Sequence, residues 1–145
     1  MLFRSLAFTA GFLSEQLLVL SSGILAARSA PSGYFQAFGA QHRELALALL
    51  NAGTFAVPQF ILGAAVAFLA AGPLKLCGKP EFFTYILGAV VCHGLYIYSS
   101  GLGLAAYLPQ ALWQLPAGPW AGWLGLMTGI WLYQIRTNRH RRAEA

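Results

Sequence analysis

The sequence predicts an all-α integral membrane bundle of four transmembrane helices with both termini in the cytoplasm. Three observations predict it. Four apolar stretches, 5–27, 45–71, 82–105 and 118–135, fill most of the 145 residues, and each reaches the ~17–25 residues that cross a bilayer core. Hydrophobic residues make up 58% of the chain and charged residues 9%, whereas ordinary soluble domains carry roughly 25% charge. Basic residues crowd one set of connecting segments. Little sequence remains outside the stretches, so residues 1–145 read as a single transmembrane helical domain.

The first stretch, 5–27, follows Arg4. With the small residues Ala26-Ala27-Arg28-Ser29-Ala30 it has the outline of a signal peptide. Glu15 inside the run, and the length of the run, favour an uncleaved first span. The first connection, from Arg28 to Glu44, opens as a turn at Pro31-Ser32-Gly33. Gln41-His42-Arg43-Glu44 then leads into the second span. Pro58 falls mid-span there. It cannot donate to the Thr54 carbonyl, which predicts a kink.

Gly72-Pro73 and Gly78-Lys79-Pro80 make a tight second connection. The third span is read as 82–105. The third connection holds Pro109, Pro116 and Pro119, and its Leu108 to Leu115 stretch is expected to lie in the interface. Trp113, Trp120 and Trp123 ring the outer start of the fourth span, with Trp131 and Tyr133 near its inner end, as interfacial anchors. Residues 136–145 form a basic tail.

With four spans, one side receives Arg4, Lys75, Lys79 and the tail residues Arg136, Arg139, Arg141 and Arg142. The other receives only Arg28 and Arg43. Short loops rich in Lys and Arg stay cytoplasmic. The net charge of +5 is therefore read as topology, with the lipid bilayer as partner and no nucleic acid. The expected location is the plasma membrane or a bacterial inner membrane. Cys77 and Cys92 give no disulfide framework.

Polar residues at membrane depth are where function is expected. Glu15 lies about ten residues, His93 about eleven and Gln59 about twelve from the inner ends of their spans, so at ~1.5 Å per residue they share one layer near the midplane. Gly11, Glu15 and Ser22 share a helix face. So do Asn51, Thr54 and Pro58, with Gln59 beside them, and His93, Tyr96 and Ser100. These faces are expected to point into the bundle, since lipid leaves polar groups unpaired. The intramembrane polar site is read as Glu15, Gln59, His93, Tyr96 and Asn51. Glu15 is the only acid well inside a span, where an acid costs ~2.5–3.5 kcal/mol.

Gly122, Gly125 and Gly129 form a helix-packing face on the fourth span, including a GxxxG match. Gly23 with Ala27, and Gly63 with Ala67, are weaker versions. His42 and His93 stand ~16 Å apart along the membrane normal, so no single metal or haem is held by both. No metal site and no cofactor is expected. There is no phosphate loop or cysteine-pair motif, and no aspartate anywhere, so no Ser-His-Asp set.

Three functions fit. The leading expectation is an accessory or assembly-type membrane subunit, acting through helix contacts in a homo-oligomer or larger membrane complex. The second is a small oligomeric proton-coupled transporter using Glu15. The third is a membrane enzyme acting on a lipophilic substrate through Glu15, His93 and Tyr96.

Overall fold

The computed structural model describes residues 2–26, 32–101 and 117–143, and every regular element among them is helical. Helix α1 spans Leu2–Ala26. It is rich in Leu and Ala and contains no proline, so nothing interrupts its hydrogen-bond ladder. A short α2, Tyr34–Phe38, sits between Gly33 (φ +79°) and Gly39 (φ +69°), two left-handed positions that glycine adopts without strain. The Tyr34 hydroxyl donates to the Ala46 carbonyl at 2.9 Å and ties this segment to the next helix.

After a 3₁₀ turn at Ala40–His42, α3 (Arg43–Asn51) and α4 (Val57–Ala71) join through a π-helical turn, Ala52–Ala56. Val57 N–H bonds back five residues to the Ala52 carbonyl. This is how the chain meets Pro58: one residue is added to the turn ahead of the imino acid. Residues 72–78 form a chain of turns. Helix α5, Lys79–Ser100, starts with proline in its first turn and ends at Gly101 with φ +67°. Helix α6 spans Ala117–Ala143.

Three segments are long and apolar enough to cross a membrane: Leu2–Leu25, Arg43–Ala71 and Pro80–Ser100. Helix α6 is as long, but its glycines, tryptophans and polar end dilute its mean hydropathy. Two boundaries differ from the sequence reading. The third span stops at Ser100 rather than 105, because Gly101 takes the left-handed capping conformation. The residues read as a basic tail continue α6 to Ala143. Charge ends an apolar pattern without ending a helix, and Arg, Gln and Ala are all good helix formers. The third connection, with Gln110, Trp113 and Gln114, lies outside the described residues.

The helices pack as two parallel pairs of non-consecutive neighbours. Along α1 and α5, Gly11 meets the Tyr85 backbone, Gly88 meets Phe8, and Glu15 meets His93. Along α4 and α6, Gly63 meets Gly122, Gly125 meets Phe60, Gly129 meets Ala64, and Gly72 meets Tyr133. From Phe8–Gly88 to Glu15–His93, and from Phe60–Gly125 to Gly72–Tyr133, both members advance along the chain, so the helices of each pair run the same way. A methyl group at Gly11, Gly88, Gly63, Gly125 or Gly129 would overlap a carbonyl of the facing helix. Close backbone approach is the main route to helix association where lipid supplies no hydrophobic drive. Gly23 has no neighbour within 4 Å among the described residues, so it makes no such contact with them.

The pairs join where Leu18 of α1 meets Gln59 of α4 and Gly122 of α6. The shared core includes Ala7, Ala67, Leu76, Tyr85, Ala89 and Leu126, each fully buried. Large apolar side chains such as Leu13, Ile24, Leu69, Phe83 and Leu124 face outward, the inverse of a soluble fold. At one end, Lys75 Nζ sits 4.5 Å above the Phe3 ring and the Arg136 guanidinium 5.9 Å over Phe68. The start of α1, the 72–78 turns and the polar half of α6 therefore gather at this basic end.

Candidate functional site, a buried Glu–His pair

Glu15 is 2% exposed. Its position on α1 is set by the close α1–α5 crossing at Gly11 and Gly88, one turn toward the basic end. That crossing brings Glu15 Oε1 to 2.6 Å from His93 Nδ1. The distance suits a charge-assisted hydrogen bond. It can be written two ways. An N–H at Nδ1 donates to a carboxylate, or a carboxyl O–H donates to a bare Nδ1; the heavy-atom positions fit both. The second carboxyl oxygen, Oε2, is buried and has no hydrogen-bond partner among the described residues.

Neighbours on three helices surround the pair. The Trp123 ring of α6 meets the His93 ring edge-on, with centroids 6.0 Å apart. Tyr85, fully buried on α5, donates its hydroxyl to Ser14 Oγ at 2.8 Å, and Ser14 donates onward to the Ala10 carbonyl at 2.7 Å. Cys92 lies 3.5 Å from the Gln16 side-chain oxygen. Gln59, 1% exposed, holds the second contact between the helix pairs. Its Nε2 is 3.1 Å from the Leu18 carbonyl, 2.9 Å from Ser21 Oγ and 2.7 Å from Ser22 Oγ.

The structure thus brings together two of the five residues read as the polar site. Glu15 and His93 touch. Gln59 is buried, and its side-chain amide bonds to α1. Tyr96 has its ring centroid 6.4 Å from that of His93 but is 39% exposed. Asn51 is half-buried two turns away and makes no side-chain bond to the cluster among the described residues. The expectation that these polar faces all point inward is corrected at Tyr96 and Ser100, which are exposed. Among the described residues, helix α5 packs mainly on α1, and its last turns are exposed. Gly122, Gly125 and Gly129 all lie against neighbouring helices, the last two against α4 backbone.

Sequence reasoning did not find Ser14, Tyr85 or the part played by Trp123. The available signal was spacing. Ser14 adjoins Glu15, and Tyr85 sits eight residues before His93, roughly two turns along the same face. Trp123 was read as a headgroup anchor, yet it lies at the level of His93.

Outside the spans, Cys77 lies beside Gln134 in a cleft between the 72–78 turns and α6, lined also by Phe82, Met127 and Trp131. Partial burial pushes the Cys77 thiol above the ordinary thiol range, and a hydrogen bond with Gln134 opposes the shift. No three His, Cys, Asp or Glu side chains converge among the described residues. What the pair offers chemically is one proton between a carboxyl and an imidazole, beside a buried carboxyl oxygen with no hydrogen-bond partner among the described residues. Comparison with family models, curated proteins and solved structures finds no match to this chain.

Proposed function

We propose that the chain is a four-span integral membrane protein with both termini cytoplasmic, and that it works as a small proton-coupled transporter through Glu15 and His93. The orientation rests on the basic end, which collects Arg4, Lys75, Arg136 and Arg139. The fourth span rests on α6 lying beside α4 from Gly122 to Tyr133. The observation that carries the function is the pair itself: an acid 2% exposed, one oxygen on an imidazole and the other without a partner among the described residues. A carboxyl that served only to hold helices together would bring both oxygens to donors, because each unsatisfied buried group costs ~1–3 kcal/mol. A proton or cation site keeps one oxygen available.

The test is a pH titration of tryptophan fluorescence in detergent, since Trp123 reports on the His93 ring. Wild type should show a titration step that Glu15→Gln abolishes, while thermal unfolding of the variant changes little. A variant that unfolds readily would assign the pair to structure. An unchanged titration would remove Glu15 from proton handling.

A second reading, an accessory subunit acting through helix contacts, is favoured by Gly53 and Gly94. These glycines lie within spans and have no neighbour within 4 Å among the described residues, as positions reserved for another chain would. Stable co-purification of a second membrane protein, lost on Gly94→Leu, would select this reading.

A further inference from the structure

Helix α6 has two working faces. Gly125 and Gly129 lie on α4 backbone. Met127, Ile130, Trp131 and Gln134 recur at helical spacing on the opposite face. That face borders a cleft of ≈ 270 Å³, closed on its other sides by the 72–78 turns and the start of α5. Its walls are apolar: Leu76, Phe82, Met127, Ile130 and Trp131. Leu76 is fully buried, whereas Met127 and Trp131 are 45% and 58% exposed, so the cleft opens sideways. Cys77 and Gln134 supply the polar lining. Gln134 stands two turns beyond Met127, so the polar part lies ~10 Å nearer the basic end than the deepest apolar wall.

The size of the cleft decides what enters it. One turn of a helix ~10 Å across with a ~5.4 Å pitch fills ~400 Å³, so a helix of another protein does not seat there. About nine groups of the ~30 Å³ that a water occupies fill it, which suits a stretch of one hydrocarbon chain. The charge beside the cleft decides the headgroup. Lys75 takes the left-handed position that closes α4, at φ 53°, while the Leu76 N–H bonds to the Ala71 carbonyl. That closure buries Leu76 and leaves Lys75 exposed beside it. Arg136 follows Gln134 by two residues and is exposed, as are Arg4 and Arg139. Against these cations stands one acid among the described residues of this end, Glu81, whose carboxylate lies against Gly78.

We infer that the cleft holds an acyl chain of one anionic phospholipid, with its phosphate at the level of Lys75 and Arg136. The inference rests on the membrane-spanning part of the reading above, with the basic end inside, and is independent of proton handling. Burial of the chain against Phe82, Met127 and Trp131 supplies affinity, and the cations supply headgroup preference. Anionic lipid is concentrated in the cytoplasmic leaflet, where the basic end lies in that reading.

The experiment is native mass spectrometry of the full chain released from detergent, titrated with phosphatidylglycerol or phosphatidylcholine of the same acyl chains. Wild type should retain one phosphatidylglycerol per chain and bind it at least about fivefold tighter than phosphatidylcholine, the worth of one cation near a charged surface. Lys75→Gln with Arg136→Gln should abolish the preference, and Glu81→Gln should raise it. Met127→Trp fills the cleft from an exposed position and should weaken retention of both lipids at least about tenfold. Alkylating Cys77 with N-ethylmaleimide, in a Cys92→Ala background, blocks the cleft after folding and should do the same. Equal binding of the two lipids, or retention unchanged by both blocks, overturns the inference. A dimer that Met127→Trp dissociates gives the cleft to a second copy instead.

The two claims fail separately. Glu15→Gln should retain phosphatidylglycerol as wild type does. Loss of lipid preference in a chain that needs detergent removes this site alone. A chain that leaves the membrane without detergent overturns the membrane reading and this site with it.

Discussion

Replacing Gly129 with alanine tests the packing of α4 on α6 by the sign of its effect. A Cβ at Gly129 would overlap the Ala64 carbonyl oxygen and stand 2.9 Å from the Phe68 amide nitrogen and 3.0 Å from the Ala64 carbonyl carbon. All three atoms belong to helix backbone and cannot rotate away. The helices must separate instead, and a gap of ~0.5–1 Å forfeits a quarter to a half of each dispersion contact along the seam. Overpacking typically costs ~1–3 kcal/mol, and an immovable carbonyl places this site in the upper part, at about 2–3. Alanine returns about 1 kcal/mol through helix propensity, so the net loss should be about 1–2 kcal/mol. For a chain of this size each kcal/mol moves Tm by about 2–4 °C, giving a fall of roughly 2–8 °C. The matched control is Gly94→Ala, also mid-helix but with no neighbour within 4 Å among the described residues, which should hold or raise Tm. The assay is thermal unfolding in one detergent, followed by circular dichroism. A Gly129→Ala protein as stable as wild type, or a Gly94→Ala protein that loses as much, would refute the reasoning.

Other perturbations address separate parts of the fold. Gln59→Leu keeps the volume but removes the amide between the helix pairs; Ser21 and Ser22 retain their bonds to the Leu18 carbonyl, so the loss should be ~0.6–1.7 kcal/mol in thermal unfolding, and a gain in stability would deny Gln59 that role. Maleimide labelling of Cys77 should keep accelerating with pH beyond the point where a small thiol levels off, because burial raises its pKa and only the thiolate reacts. Gln134→Leu should slow the labelling further at fixed pH, since the hydrogen bond that favours the thiolate is lost; faster labelling would contradict that cause. Reporter fusions after Arg142 and within 75–79 should read as cytoplasmic, and a fusion within 31–41 as the opposite side. A tail that reads outside reverses the orientation.

The helices were legible because a long apolar run forms a helix in lipid whatever its neighbours are. The meeting of Glu15 with His93 was legible as a shared depth, which follows from counting residues along a helix of fixed rise. Depth says nothing about rotation around the helix axis or about which helices are adjacent. The pairing of α1 with α5 and of α4 with α6 was therefore not readable. GxxxG marked Gly125 and Gly129 as close contacts but left their partner open, while Gly11 and Gly88, equally close, stand in no such motif. Tyr85 and Ser14 look like ordinary residues of an apolar helix until the α1–α5 crossing puts their hydroxyls 2.8 Å apart. The π-helical turn before Pro58 is the physical answer to the kink that the proline predicted.

The parallel pairing also orders the life of the chain during synthesis. Glu15 precedes its imidazole partner by 78 residues, so at ribosomal rates of ~5–20 residues per second the acid waits about 4–16 s before His93 exists. Gln59 follows Ser22 by only 37 residues. The second span can therefore grip the first through Gln59 while Glu15 still lacks its imidazole. Arrival of α5 then completes the acid's surroundings. A nascent chain stalled before α5 would carry Glu15 without the imidazole that its buried carboxyl meets in the finished fold.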